Sequence, residues 1–460
     1  MDIRHKPAYH FGPPRNWLND PNGMIHWKGT YHLFYQYVPF SAGNGVKHWG
    51  HAASRDLAHW EHRPIALSPT PGSPDKDGVW SGCAIHWDGL PLVFYTGVFP
   101  EMQCLAVGDD TLNTWTKYDG NPVIAAPPEG LAVTGFRDPC VWREADGWYL
   151  ALGSGSEGGN GLVLLYRSDD LLTWEYLHPL YEGTSAETGR VFECPNFFAL
   201  DGGHVLITSP IPLARAIYFS GVYRDHRFAP GRWGEVDAGG ALYAPQYMID
   251  AQGRRLLIGW LWEERPERDY VAAGWSGVMS LPRVLSLDAD GALCSTVAPE
   301  VDALREGVLY QMSMALADTP VPLPQAAGDQ IEIRARFRLE GAQTVGVEVL
   351  RSPDREEVTR VVYDAAAQRL LCDRTRASLN AATHRDVRGD ALALGDDGLL
   401  ELRIYVDRSV VETFANERIA LTSRAYPERS DSTGVAVFAT GGPATLLDFT
   451  VWRMGSCFQS

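Results

Sequence analysis

The chain has no apolar stretch able to span a bilayer: no run reaches ~18 apolar residues. Its opening segment, MDIRHKPAYHFGPP, also lacks the apolar core of a secretory signal. These absences point to a soluble, cytoplasmic protein without a membrane partner. Positive charge is scarce as well. Lys and Arg total 40 against 57 Asp and Glu, a formal net charge of -17, which opposes binding to nucleic acid or anionic membrane surfaces. Seven cysteines lie at 83, 104, 140, 194, 294, 372 and 457 with no Cys-x-x-Cys pair. Neither a disulfide framework nor structural zinc is expected from that odd, scattered set. Helical stripes of 3.6-residue period are missing. So is any DxDxDG-like run that could gather the roughly 6–8 oxygens a calcium ion takes. No metal and no cofactor are expected.

What the chain does have is a repeat. Apolar, strand-like runs occur at 31–37, 91–97, 148–154, 204–210 and 255–262, each preceded by a turn carrying Gly or Asp, such as Lys28-Gly29 and Asp88-Gly89. These are hairpin signals. A polar turn ending in Leu-x-x-Trp recurs at 54–60, 109–115 and 168–174, with Trp60 and Trp115 separated by 55 residues and Trp115 and Trp174 by 59. A period of this length, built from short strands and tight turns, predicts a β-propeller with about four strands per blade. Five runs predict five blades.

The repeat fades over 274–293, and Pro320, Pro322 and Pro324 follow. Beyond them the pattern changes to period-2 strands with one apolar face at 330–339, 344–350, 399–414, 434–440 and 444–452, as expected for a sandwich of antiparallel sheets. The predicted architecture is all-β: a five-bladed propeller over 1–300, a linker over 301–325 and a sandwich over 326–460. With 460 residues, 45% of them apolar, two cores are affordable in size.

Three acids recur in the repeat beside a proline: Asn19-Asp20-Pro21, Arg137-Asp138-Pro139 and Glu193-Cys194-Pro195. Asp20 precedes Tyr31, Asp138 precedes Tyr149 and Glu193 precedes His204 by 11 residues each. Acids placed alike in repeated units can meet, and the first strand of every propeller blade lines the central channel. The matching positions of the second and fifth units, Ser81-Gly82-Cys83 and Tyr243-Ala244-Pro245, carry no carboxylate. Two positioned carboxyl groups can cleave a glycosidic bond, one attacking or activating water and the other protonating the departing oxygen. A third can steady positive charge on the sugar. Taken singly, Asp-Pro and Asn-Gly are ordinary turn pairs, whereas Glu193 beside Phe192 would be costly to bury without a purpose. The residues alone do not assign the three tasks, and they leave Trp49, Trp80 and Trp260 open between core and pocket. Trp60, Trp115 and Trp174 are expected in packing between blades, and Cys194 as a small packing residue beside the acid.

An ordered set of motifs resembles glycoside hydrolase family 32, the invertases and other β-fructosidases: WLNDPNG (17–23), FYQYVP (34–39), WGHAASRDLAHW (49–60), WSGCA (80–84), FRDP (136–139), ECP (193–195), SLPR (280–283) and LRIYVDRSVVETF (402–414). The resemblance implies retaining hydrolysis of a β-fructofuranoside. Asp20 would be the nucleophile, Glu193 the acid/base, and Asp138 the residue that holds ring hydroxyls and steadies the oxocarbenium-like transition state. It also implies a sugar-binding shell of Asn19, Gln36, Trp49, Trp80, Ser81, Arg137 and Trp260. Two departures stand out: Trp80 replaces a frequent Phe, and Asn196 replaces a frequent Asp.

The expected partner is a small sugar, such as sucrose or a short fructo-oligosaccharide, and a homo-oligomer is compatible with the sequence. Fructosyl transfer and inulin or levan hydrolysis would use the same residues. A non-catalytic carbohydrate-binding propeller is the remote alternative. The leaving group stays open; Lys47 and His48 are the residues that could meet a phosphate.

Overall fold

The computed structural model describes residues 2–184 and 188–458. Five antiparallel sheets surround one axis. The first contains Asn16–Trp27, Thr30–Val38, His48–Ser54 and Trp60–Leu67. The second contains Gly78–Trp87, Leu90–Val98, Met102–Gly108 and Trp115–Lys117. The third contains Val133–Glu144, Gly147–Ser156, Gly161–Ser168 and Glu175–Glu182, and the fourth Val191–Leu200, Gly203–Ile211, Ile217–Arg224 and Arg227–Glu235. The fifth contains Leu242–Ile249, Arg255–Leu261, Arg283–Leu287 and Leu293–Val297. The first strand of each blade packs against that of the next, and the fifth against the first. The circle is stitched further by a short segment in which Trp275-Ser276 pairs with Asn16-Trp17 of the first blade and Val278-Met279 pairs with Trp260-Leu261 of the fifth.

Local chemistry fixes the hairpins. Lys28-Gly29, Asp88-Gly89 and Asp201-Gly202 each form a two-residue loop in which both residues have positive φ, the geometry whose twist matches the flanking strands. The Leu-x-x-Trp turns share a second device. Leu57, Leu112 and Leu171 adopt φ of 60°, 56° and 67°, and the indole N–H of the following Trp60, Trp115 and Trp174 donates to the Leu carbonyl at 3.0–3.1 Å. Trp115 then meets Phe34 of the preceding blade edge-on, and Trp174 meets Phe94 likewise. The tryptophan closes its own turn and packs one blade on another.

The sandwich is two six-stranded sheets, one ordered 305–316, 444–454, 330–339, 399–407, 410–415, 419–424 and the other 321–322, 434–440, 344–351, 358–364, 369–376, 387–391. Three expectations are corrected here. Most of the segment 301–325 is not a linker: Arg305–Leu316 is a strand paired along its length with Ala444–Met454. Its alternate apolar residues Tyr310, Met312, Met314 and Leu316 join the sandwich core, and beyond it Val321-Pro322 pairs with Ala436-Val437 of the second sheet. The run 399–414 is two strands, because Arg408 turns at φ 54° and Asp407 pairs with Val410. The stretch 274–293 does not end the repeat. It holds the stitch and the third strand of blade five. Among the described residues, no helix is long and apolar enough to cross a membrane.

A buried ionic network joins the two parts. The Arg283 guanidinium of blade five meets Glu412 at 2.5 Å and Asp237 at 2.9 Å, all three with fully or almost fully buried side chains. The His10 ring lies between Asp407 and Glu412 at 2.9 and 3.0 Å. Burial alone would raise the Glu412 pKa. Arg283, His10 and the Leu281 N–H overcome it and hold the carboxyl down at about 2. Removing one partner leaves an uncompensated buried charge. Glu412→Ala is therefore expected to lower the unfolding free energy by about 3–5 kcal/mol, measured by denaturant titration at pH 7. Because the folded-state pKa is depressed, the contribution of Glu412 is present above its unfolded value of roughly 4.3 and is lost as pH falls toward about 2. The stability gap between wild type and variant should narrow across that window. A gap unchanged down to pH 2 would remove the network from this role.

Candidate active site

Each inner strand carries an irregularity in register near its start, and these irregularities build the site. Two residues on the inner strand oppose one on its neighbour: Asn19-Asp20 against Gln36, Trp80-Ser81 against Thr96, Asp138-Pro139 against Leu152, Cys194-Pro195 against Thr208, and Ala244-Pro245 against Gly259. Such a bulge bends the strand and re-aims its side chains. In this register the acids are staggered and do not occupy equivalent positions. Glu193 stands just before its bulge, Asp138 is the first residue of its own, and Asp20 is the second. Counting to the next apolar run put all three in one phase because those runs start at different depths along their strands. The structural counterparts of Glu193 are Leu18, Val79, Arg137 and Tyr243.

Asp138, Cys194 and Ala244, each preceding a proline, take φ of 64°, 47° and 45°. For a non-glycine residue this backbone is strained, as often found where a site over-determines geometry. The Asp138 N–H donates to Thr96 Oγ1 at 2.9 Å, and its Oδ2 accepts from the Cys194 N–H at 2.9 Å. The Cys194 thiol lies 3.5 Å from Asp20 Oδ2 and 3.6 Å from Asp138 Oδ2. One sulfur thus touches the carboxylates of two blades. Asp20 Oδ2 also accepts from Ser81 Oγ at 2.6 Å, and its Oδ1 from Asn19 Nδ2 at 3.1 Å.

Glu193 is gripped at both oxygens. Oε1 accepts from Arg137 Nε and Nη2 at 3.2 and 3.0 Å, and Oε2 accepts from the Tyr243 hydroxyl at 2.8 Å. The other side of the guanidinium donates through Nη1 to Glu101 Oε1 at 2.9 Å. Electrostatics follow from crowding several acids into a partly buried hollow. Burial, then repulsion from Glu193 and Asp20, pushes Asp138 up to about 7 against the pull of Arg137 and the Cys194 N–H. Burial, aided by Asp20, raises Glu193 above the ordinary carboxyl range, while Arg137 and Tyr243 oppose the rise. A carboxyl kept partly protonated near neutrality can deliver a proton, and an ionised neighbour can attack or stabilise positive charge.

The other residues expected around a sugar divide into two groups. Arg137, Ser81 and Asn19 touch the acids directly. Trp80 and Trp260 are half-buried at the hollow: Arg137 lies over the Trp80 ring, and Trp260 packs with Trp17, Tyr243 and Trp262. Gln36 is almost wholly buried. With its amide turned to satisfy its neighbours, Asn22 accepts from Gln36 Nε2 at 2.9 Å and donates to Ser81 Oγ at 3.2 Å. Trp49 is corrected: it is 0% exposed, its indole N–H donates to the Trp80 carbonyl at 2.9 Å, and it supports the wall from behind. Asn196, where an acid was noted as common, donates to the Cys194 and Pro245 carbonyls and accepts from the Tyr247 N–H. Its amide ties two bulges together. The Lys47 ammonium is turned inward onto the Trp17 ring and Asn44 Oδ1, and burial lowers its pKa to about 8.

Sequence reading missed Glu101, Tyr243, Thr96 and Trp17 as contributors. Trp17 orients Asn19, donating from its indole to Asn19 Oδ1 at 2.7 Å. Tyr243 was legible in principle, since Tyr-Ala-Pro repeats the spacing of Glu-Cys-Pro. Glu101 sits in a turn between the second and third strands of blade two, where no periodic signal marks it.

The chain and its fold are similar to known proteins. Over 480 residues the chain is 33% identical to the sucrose-6-phosphate hydrolase of Escherichia coli, covering 98% of this chain and 95% of that protein. Fructan 1-exohydrolase IIa from Cichorium intybus, solved in complex with 1-kestose, superposes with a TM-score of 0.91 at 27% identity, covering 100% of this chain and 99% of that one. The β-fructofuranosidase of Bombyx mori, solved as a variant in complex with sucrose, gives a TM-score of 0.83 at 27% identity over 100% and 96%. The glycosyl hydrolases family 32 N-terminal domain matches residues 10–296 and the family 32 C-terminal domain residues 300–453. The chain belongs to glycosyl hydrolases family 32 and is a glycoside hydrolase acting on fructosides.

Proposed function

We propose that the protein is a retaining β-fructofuranosidase that releases terminal β-D-fructofuranosyl units from sucrose and short fructo-oligosaccharides. The observation that carries this reading is the convergence of Asp20, Asp138 and Glu193 from three blades, with the Cys194 thiol against the first two and Arg137 and Tyr243 fixing the third. Asp20 attacks the anomeric carbon while Glu193 protonates the departing glycosidic oxygen. This leaves a fructosyl group esterified to Asp20 and a Glu193 carboxylate. That carboxylate then takes a proton from water, whose oxygen attacks the same carbon and frees Asp20. Asp138 faces the developing positive charge. Trp80 and Trp260 offer aromatic faces to the sugar's C–H surfaces. Sucrose and 1-kestose accompany two of the related structures, and both present a terminal fructofuranose.

The reading is tested by incubating the enzyme with sucrose, 1-kestose, inulin and levan, with products identified over time and the anomer of newly released fructose followed by NMR. Retention is expected, with small substrates cleaved faster than polymers; inversion would remove Asp20 as nucleophile. Asp20→Ala should abolish turnover, and Glu193→Ala should lower kcat on sucrose by about 10²–10⁴-fold, both with unchanged circular dichroism. Near-normal rates in either variant would reject the assignment.

Tyr243→Phe tests the electrostatics. The hydroxyl stabilises the Glu193 carboxylate and so lowers its pKa. Its loss should move the alkaline limb of kcat/KM, which reports the free enzyme's acid, upward by about one pH unit. A downward move would contradict the hydrogen-bond assignment.

A further inference from the structure

The proton-transfer machinery extends one residue beyond the carboxylates. Arg137 is largely buried and divides its donors: Nε and Nη2 face Glu193, while Nη1 faces Glu101 at 2.9 Å. Glu101 is fixed in turn, because its second oxygen accepts the backbone N–H of Phe136 at 2.5 Å. That N–H belongs to the residue preceding Arg137, so Glu101 holds the backbone and the side chain of the same strand end. The guanidinium is thereby presented to Glu193 as a planar fork with little rotational freedom.

Charge gives the pair a second consequence. An arginine facing a general acid works against it, because the cation favours the ionised carboxyl and makes the proton too easy to lose. The other titratable groups facing Glu193 are Asp20 from the first blade, Asp138 from the third, Tyr243 from the fifth and the adjacent Cys194. None of them is positively charged. Arg137 is the cation among them, and Glu101 is its second anion.

We propose that Glu101 is a positioning residue for proton transfer: it holds Arg137 in the fork that grips Glu193 and offsets the guanidinium charge there, so that Glu193 keeps the proton it must deliver. The role rests on Glu193 being the acid/base of the proposed reaction, but its first test needs no turnover. Glu101→Gln keeps the shape and removes the charge. In protein carrying ¹³C-labelled glutamate, the Glu193 carboxyl resonance, assigned by its loss in Glu193→Gln, should titrate about one pH unit or more lower in Glu101→Gln than in wild type. Glu101→Ala is the second variant and should shift in the same direction. A midpoint unchanged or raised in both overturns the proposal.

Kinetics separate positioning from mere support. On sucrose, the alkaline limb of kcat/KM should move to lower pH in Glu101→Gln, with activity largely recovered in acid. An aryl β-D-fructofuranoside whose leaving group departs without a proton should lose little at any pH. Equal losses on both substrates at every pH would make Glu101 structural, and a change in KM for sucrose alone would make it a contact for the departing sugar. Either result overturns the proposal. Wild-type enzyme that frees fructose from neither substrate would end the functional reading while leaving the titration interpretable.

Discussion

One extra residue in each inner strand is the constraint on which the site depends. Regular strands converging on a propeller axis would send alternate side chains into the blade cores and the channel with no freedom to choose depth. The bulge lets neighbouring backbone positions reach the same hollow, so the blades contribute Glu193, Asp138 and Asp20 from three successive places in one motif. Proline follows in three of the five blades, at the second bulge position, where a ladder hydrogen bond is already lost. The positive φ at Asp138 and Cys194 is the local cost of aiming a carboxylate and a backbone N–H at the same point.

That aim creates an electrostatic problem whose solution is visible around each acid. Three carboxyl groups crowded together cannot all ionise freely. Asp20 is supplied with the Ser81 and Asn19 donors, Glu193 with Arg137 and Tyr243, and Asp138 with the Cys194 N–H, while the Cys194 thiol lies against both aspartates. The group with fewest donors is the one burial raises to about 7. Burial is the largest influence on both Asp138 and Glu193, and Arg137 opposes the rise in each.

Much of this was legible in the chain. Hairpin turns, the Leu-x-x-Trp device and five apolar runs specify blades because each is local chemistry: a Gly tolerant of positive φ, an indole N–H three residues from a carbonyl, a strand with buried faces. Arg305–Leu316 escaped because its alternate residues Tyr310, Met312 and Met314 are only partly buried and the following prolines suggested a break. The stagger of the acids also escaped, since a bulge shifts register by a residue without changing composition. Trp49 could not be separated from Trp80 by type or spacing. Only the packing shows that one is a wall and the other its support. Glu101 illustrates the hardest case, a residue whose partner lies 36 positions away and whose turn carries no motif.

The sandwich bears on the site through rigidity, without supplying any of the three acids. Arg283 lies on the third strand of blade five, whose second strand carries Trp260 and whose first carries Tyr243. Its guanidinium is locked between Asp237, just ahead of that blade, and Glu412 of the sandwich, and Thr422 Oγ1 accepts from the same arginine at 2.7 Å. Blade five is also the last in sequence and meets blade one through the Trp275–Met279 stitch, whose Met279 N–H donates to the Phe11 carbonyl, beside Tyr9 and His10, whose backbone N–H groups both donate to Asp407. The same buried carboxylates that fasten the sandwich, Asp407 and Glu412, therefore hold the chain's opening segment and the closing blade together. Tyr243 and Trp260, which face Glu193 and Trp17, thus stand on a blade fastened at this seam. Blades one and five are held from outside, through His10 and Arg283, as well as from the hub.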